Sequence, residues 1–176
     1  MGSMKEVVEV LNGLLEEGVL KDYAIGGGMA ALAYVEPFLT EDIDVFTTMT
    51  VTSGLVDPAA IFRRLRERGF DRMDGDRIII HGWPVQFLPP LSGLEAEALS
   101  SARERIVEGV QTRFFCAEHL MAIAVKTGRG KDMARLEKFI EAGQFDETAF
   151  SDILKRHNLT GRWNEMKERF FRHDDR

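Results

Sequence analysis

The sequence predicts an α+β fold with an α/β-type front: a small mixed β-sheet flanked by helices, followed by a helical C-terminal half. Two patterns lead there. Up to about Phe115 the chain alternates helix-like and strand-like segments, and beyond it only helical periodicity remains. Length supplies the third observation, since 176 residues with 44% apolar content suffice for one core and not for two large ones. The expected division is a sheet domain over 1–115 and a helical subdomain over 116–176 packed on it.

The segment "MKEVVEVLNGLLEEG" carries Val7, Val8, Leu11, Leu14 and Leu15 at helical spacing and stops at Gly18, which predicts an amphipathic first helix. Gly2-Ser3-Met4 reads as a cloning remnant ahead of the natural start. "DYAI" is a short strand entering Gly26-Gly27-Gly28, "MAALAYV" a helix, and "DIDVFTT" a strand. Pro58 opens the helix "PAAIFRRLRERG", closed by Gly69. "RIIIHG" and "PVQFLPP" form a hairpin through Gly82-Trp83-Pro84, with Pro89-Pro90 ending its second strand. Residues 93–108 read as helix and "GVQTRFF" as one more strand. The helices "AEHLMAIAVKTG", "KDMARLEKFIEAG", "DETAFSDILKRHN" and "GRWNEMKERFFRH" follow, separated by Gly, Asn or Asp.

Composition narrows the function classes. No apolar run approaches the roughly 20 residues of a membrane span, and the start lacks the charged-then-apolar pattern of an export signal, so a cytoplasmic protein without membrane contact is expected. The single Cys116 excludes an internal disulfide and a cysteine zinc site, and its apolar context "TRFFCAEHL" suits a core position. The net charge of −6 argues against sequence-blind nucleic-acid binding, and no DNA partner is expected. Charge is uneven, however: residues 1–100 hold 8 Lys/Arg and 16 Asp/Glu, the remainder 15 and 13. An acidic front beside a mildly basic back suits a metal site next to a surface for an anionic partner, and solvated helix faces would give the same pattern.

The chemistry lies in "AIGGGMAALAYVEPFLTEDIDVFTT". Side chains alternate along a strand, so Asp42 and Asp44 share one face while Ile43 and Val45 take the other. Two carboxylates so close raise each other's pKa unless a divalent cation lies between them, and hard oxygen ligands favour Mg²⁺ or Mn²⁺ over zinc. Gly27 and Gly28, at a strand-to-helix junction, would offer backbone N–H groups to a phosphate that a Cβ would hold off. A tight turn and a solvated strand edge explain either feature alone; their order and separation make the pair specific.

That order resembles the signature of the DNA polymerase beta-like nucleotidyltransferase superfamily: an apolar residue, Gly-Gly or Gly-Ser, about a dozen residues, then Asp-x-Asp between apolar residues. "IGGGMAALAYVEPFLTEDIDVF" is most similar to bacterial AbiEii-type nucleotidyltransferase-like proteins. "AEHLMAIAVKTGRGKDMARLEKF" resembles that group's helical motif, with Lys126 at its lysine, Arg129 at its arginine, and Lys131-Asp132 at its Lys-Asp pair. The resemblance covers roughly residues 20–140 and implies transfer of a nucleoside monophosphate from an NTP to an RNA, such as tRNA, or to a protein. It implies metals on Asp42 and Asp44, catalytic roles for Lys126 and Asp132, and nucleotide binding by Gly27, Gly28, Met29, Lys126 and Lys131. A toxin-antitoxin role with a partner protein encoded nearby also follows from it.

Three positions depart from the superfamily pattern. The third acidic residue is replaced by Gln86, which coordinates metal through one neutral oxygen and accepts no proton as a base. Met29 stands where Ser or Thr is usual, and Phe38 where an arginine is often found. The alternative they support is a catalytically degenerate fold member acting as a binding or antitoxin-like partner. A phosphohydrolase using the same Asp pair lacks a His-rich ligand set. Simpler readings also exist for single residues: Lys126 as a lysine favoured at a helix C-terminus, Asp132 as a first-turn residue of the next helix, His119 as part of a helix start, Trp83 as turn packing, and His81 as a strand-end residue near Gln86.

Overall fold

A computed structural model of the chain describes residues 2–52 and 55–170. The first helix, α1 (Met4–Glu16), buries Val7, Val8, Leu11 and Leu14, and Ser3 caps it in a reciprocal capping box with Glu6. β1 (Ala24–Ile25) and α2 (Gly27–Ala31) follow. The helix expected of "MAALAYV" ends there, after little more than one turn. β2 (Ile43–Phe46) comes next, then the pair β3 (Thr50–Thr52) and β4 (Leu55–Asp57), and α3 (Ala59–Glu67), at whose start Pro58 stands.

β5 (Met73–Asp74), β6 (Arg77–Ile80) and β7 (Trp83–Leu88) form an antiparallel run. The β6–β7 turn is His81-Gly82, both in the left-handed region (φ 48° and 85°), with Trp83 and Pro84 already inside β7. The turn therefore precedes the expected Gly82-Trp83-Pro84. Pro84 is tolerated because pairing with β2 begins one residue later, at Ile43 opposite Val85.

The expectation of helix across 93–108 fails. α4 (Gly93–Ser100) stops at Ser101, and Arg103–Val107 is a strand, β8, turned by Glu108 and Gly109 (φ 48° and 86°) into β9 (Val110–Phe114). The error has a physical cause: β8 is an edge strand, so the charged residues Arg103, Glu104 and Arg105 need no apolar face and resemble the outside of a helix. The four C-terminal helices are α5 (Ala117–Thr127), α6 (Gly130–Ala142), α7 (Glu147–Arg156) and α8 (Thr160–Phe170). Left-handed Gly128 and Gly143 end α5 and α6 as their sequence positions suggest.

Seven strands make one mixed sheet in the order β5-β6-β7-β2-β1-β9-β8, with β2 parallel to β7 and β1 parallel to β9. In the β2–β7 ladder Ile43, Val45, Val85 and Phe87 are buried on one face. Asp44, Phe46, Gln86 and Leu88 take the other, which the first turns of α6 and the inner side of α5 cover. No described helix is long and apolar enough to cross a membrane.

Candidate active site

The cavity under α5 and α6, about 350 Å³, is lined by Gly27, Gly28, Asp42, Asp44, Gln86 and, from the helices, Thr127, Arg129, Lys131, Asp132 and Arg135. The period-two strand and the glycine turn build its centre. Gly26 donates its N–H to the Asp44 carbonyl (2.9 Å), which fixes the glycine turn against β2. Gly27 then adopts φ 57°, and a Cβ there would overlap the Asp44 carboxylate. The glycine thus makes room for a carboxylate. With only five residues, α2 has little macrodipole, so an anion here would depend on the exposed N–H groups and on nearby cations.

Asp44 is half-buried. That burial, reinforced by the neighbouring Asp42, pushes its carboxyl above the ordinary range, while Lys131, Arg135 and Arg77 pull it back. Asp42 holds a guanidinium, with Arg77 Nη2 3.1 Å from Oδ2. Gln86 stands opposite Asp44 in the ladder and donates its Nε2–H to the carboxylate of Asp76, in the β5–β6 turn. That turn therefore delivers Asp76 to Gln86 and Arg77 to Asp42.

The helical motif residues occupy different surroundings. Lys131 and Arg135, one turn apart on α6, reach the carboxylates' cavity, and Arg135 also lies over the Phe38 ring at 5.8 Å. Asp132 is 2% exposed, and both its oxygens are engaged: Oδ2 accepts from Arg129 Nε at 2.7 Å, Thr127 Oγ1 at 2.7 Å and the Arg129 N–H at 3.2 Å, and Oδ1 from Arg129 Nη2 at 3.3 Å, closing a capping box on α6. Against the upward push of burial, these bonds hold its carboxyl below the usual value. Lys126 does not line the cavity. Its Nζ donates to Ser92 Oγ at 2.7 Å and lies 3.4 Å from Glu95, which does line it. Met29 packs against the core and lines neither cavity beside Asp42. Trp83 donates to the Gly2 carbonyl, His81 stacks edge-on to Phe70, and Cys116 is a buried thiol whose pKa burial raises. His119 is buried too, bonded to Glu97.

Sequence reasoning did not find Arg77, Asp76, Arg135 or Thr127. Arg135 had a signal, falling four residues after Lys131 on the same helix. Arg77 and Asp76 had none, because only the folded hairpin brings them to β2 and β7.

The donor set suits a small hard cation. Mg²⁺ is commonly held by one or two carboxylates, with substrate phosphates and water completing its shell. Burial first and the charge of Asp42 second raise the pKa of the Asp44 carboxyl, and a cation bound there would offset both. No group of three or more His, Cys, Asp or Glu side chains placed to hold a metal ion is found among the described residues.

Known proteins give the fold and family. No curated protein matches the sequence. Among solved structures, an antigenic nucleotidyltransferase-like protein from Paracoccidioides brasiliensis aligns over 92% of this chain and 94% of its own, at TM-score 0.57 and 17% identity. The antibiotic-resistance factor ANT(2'')-Ia, in its solution structure, aligns over 92% and 95% at TM-score 0.56 and 16% identity. At that identity the likeness establishes a nucleotidyltransferase fold. Residues 3–160 match the family described as nucleotidyl transferase of unknown function (DUF2204), and the chain belongs to that family.

Proposed function

We propose that the protein transfers a nucleoside monophosphate from an NTP, with Mg²⁺ or Mn²⁺, to a hydroxyl of an RNA or protein acceptor. The observation that carries this reading is Asp42, immediately before β2, and Asp44 within it lining one cavity walled by Lys131 and Arg135, with Asp44 pressed against Gly27. The acceptor oxygen attacks the α-phosphorus. The bond from that phosphorus to the bridging oxygen breaks, pyrophosphate departs with the electron pair, and the hydroxyl proton passes to water. A cation held by Asp42 and Asp44 would neutralise charge on the triphosphate and polarise it. Lys131 and Arg135 face the leaving pyrophosphate's charge, and the Gly27–Gly28 backbone leaves space for phosphate oxygens. Asp44 must be ionised to hold the cation: burial and Asp42 oppose that form, Lys131, Arg135 and Arg77 favour it, and a bound divalent cation would favour it further.

The test is calorimetric titration of ATP and CTP with and without Mg²⁺, repeated on Asp42→Ala and Asp44→Ala. Mg²⁺-dependent binding lost in both variants is expected; binding indifferent to both would overturn the proposal. A second reading, a non-catalytic binding module, is favoured by Gln86 and by Arg77 on Asp42. Label transfer from α-labelled NTP, abolished by Asp42→Ala, eliminates it.

A further inference from the structure

A second cavity, about 430 Å³, adjoins the first at Asp42 and is lined by Asp42 but not by Gly27, Gly28 or Asp44. It shares Asp42, Arg77, Lys131 and Arg135 with the first, so the two cavities are neighbours with a common border. We propose that this cavity seats the acceptor and that the acceptor is an RNA, an inference resting on the transfer reading above.

Three observations carry it. Lys131, Arg135 and Lys138 stand at i, i+4 and i+7 on α6, a basic stripe about 10 Å long on one helix face. With Arg77 they set four cations against Glu41 and Asp42, on a chain whose net charge is −6, so the concentration is local. Lys138 lines only this cavity and makes no salt bridge among the described residues, which leaves its charge available to the RNA's phosphates, while Lys131 and Arg135 stand at the border with the triphosphate's cavity. Beside the stripe lies the half-buried ring of Phe38, with Leu39 85% exposed next to it. A cationic track beside an aromatic ring is the arrangement that binds single-stranded nucleic acid, phosphates on the track and a base on the ring.

The common border fits the chemistry. The glycines and Asp44 line only the first cavity, where the triphosphate would lie, and Asp42 borders both, so a nucleophile held in the second cavity meets a carboxylate that would hold the cation. An RNA 3′ end carries vicinal hydroxyls adjoining its last phosphodiester, and phosphates held on α6 would present those hydroxyls to Asp42. An acidic peptide would satisfy the cations without a base for Phe38. A polycationic acceptor would meet four like charges.

Anisotropy of a fluorescent single-stranded RNA with the full chain, titrated with salt, reads the proposal directly, with Lys138→Glu and Phe38→Leu as variants. Lys138→Glu is expected to weaken RNA binding roughly three- to tenfold and to flatten the slope of log K against log salt by about 0.7, one phosphate contact on a single strand. Phe38→Leu is expected to weaken RNA binding without changing that slope, and Lys138→Glu should bind ATP as the unaltered protein does. Three results would overturn the proposal: no RNA binding at low salt, tighter binding of a poly-glutamate peptide than of RNA, or a Lys138→Glu loss confined to ATP. Label appearing on protein without RNA binding overturns this inference alone. RNA binding without label transfer to any acceptor overturns the transfer reading instead.

Discussion

Replacing Gly27 with alanine separates two consequences of one side-chain-free position. Gly27 and Gly18 both hold left-handed backbone, at φ 57° and 72°. Alanine in that region costs about 1–2 kcal/mol at either site. Around Gly18 nothing lies within 4 Å of the added methyl, so Gly18→Ala measures the backbone cost alone. At Gly27 the methyl carbon would stand 2.8 Å from Asp44 Cγ and overlap one carboxylate oxygen. Carbon neighbours settle at about 3.5–4.0 Å, so the carboxylate must withdraw by roughly 1 Å. A displacement of that size in reacting geometry costs about 100-fold in rate, or about 2.7 kcal/mol of barrier. Thermal unfolding of both variants, followed by Mn²⁺ and ATP calorimetry and label transfer, provides the assay. Gly18→Ala should lower Tm by about 2–8 °C and leave nucleotide binding and turnover intact. Gly27→Ala should lose at least as much stability and, in addition, most of its metal-dependent nucleotide binding. Equal nucleotide binding by the two variants would refute the argument that the glycine exists to admit Asp44.

Arg77→Gln removes the cation 3.1 Å from Asp42 and should tighten Mn²⁺ binding without nucleotide by up to about fivefold, since a half-exposed pair is worth at most about 1 kcal/mol; weaker Mn²⁺ binding in the titration would contradict that placement. Asp132→Asn should destabilise the fold by about 1–3 kcal/mol through the lost charged bonds to Arg129 and Thr127. Because both oxygens are already engaged, turnover per folded molecule should stay within about threefold, and a loss near 100-fold would place Asp132 in the chemistry. Glu97 accepts bonds from Arg156, His157 and His119, which, Arg156 foremost and against a smaller upward push from burial, hold its carboxyl at about 2 instead of 4.5. A depressed carboxyl contributes stability above its unfolded pKa and loses it as pH falls from 4.5 through about 2. Glu97→Gln should therefore flatten the acid limb of stability against pH over that window, and an unchanged limb in chemical denaturation would disprove the assignment.

The carboxylate pair was legible because it rests on short-range rules. Period-two alternation puts Asp42 and Asp44 together, and a glycine run before a helix-forming stretch marks close backbone approach. The neighbours of the pair were not legible, because they depend on contacts across the chain. Asp76 reaches Gln86 only through the β5–β6 turn, and Arg77 meets Asp42 from a strand separated from β2 by β7. For Asp132, local sequence rules offered two roles, and the bond partners needed to weigh them, Arg129 and Thr127, emerge only when α5 turns into α6. β8 misled because charge on an edge strand and charge on a helix surface look alike in sequence, and Glu108-Gly109 is a weaker hairpin signal than Asn-Gly.

The two rims of the sheet bear on how the molecule behaves in concentrated solution. At one rim β5 offers a stretch of only two residues, and at the other β8 surrounds its open backbone with Arg103, Glu104 and Arg105. A second chain seeking to extend the sheet finds too short a template on one side and alternating charge on the other. Growth into strand-linked polymers is blocked at both ends, so the protein should tolerate the high concentrations that nucleotide soaking and calorimetry require.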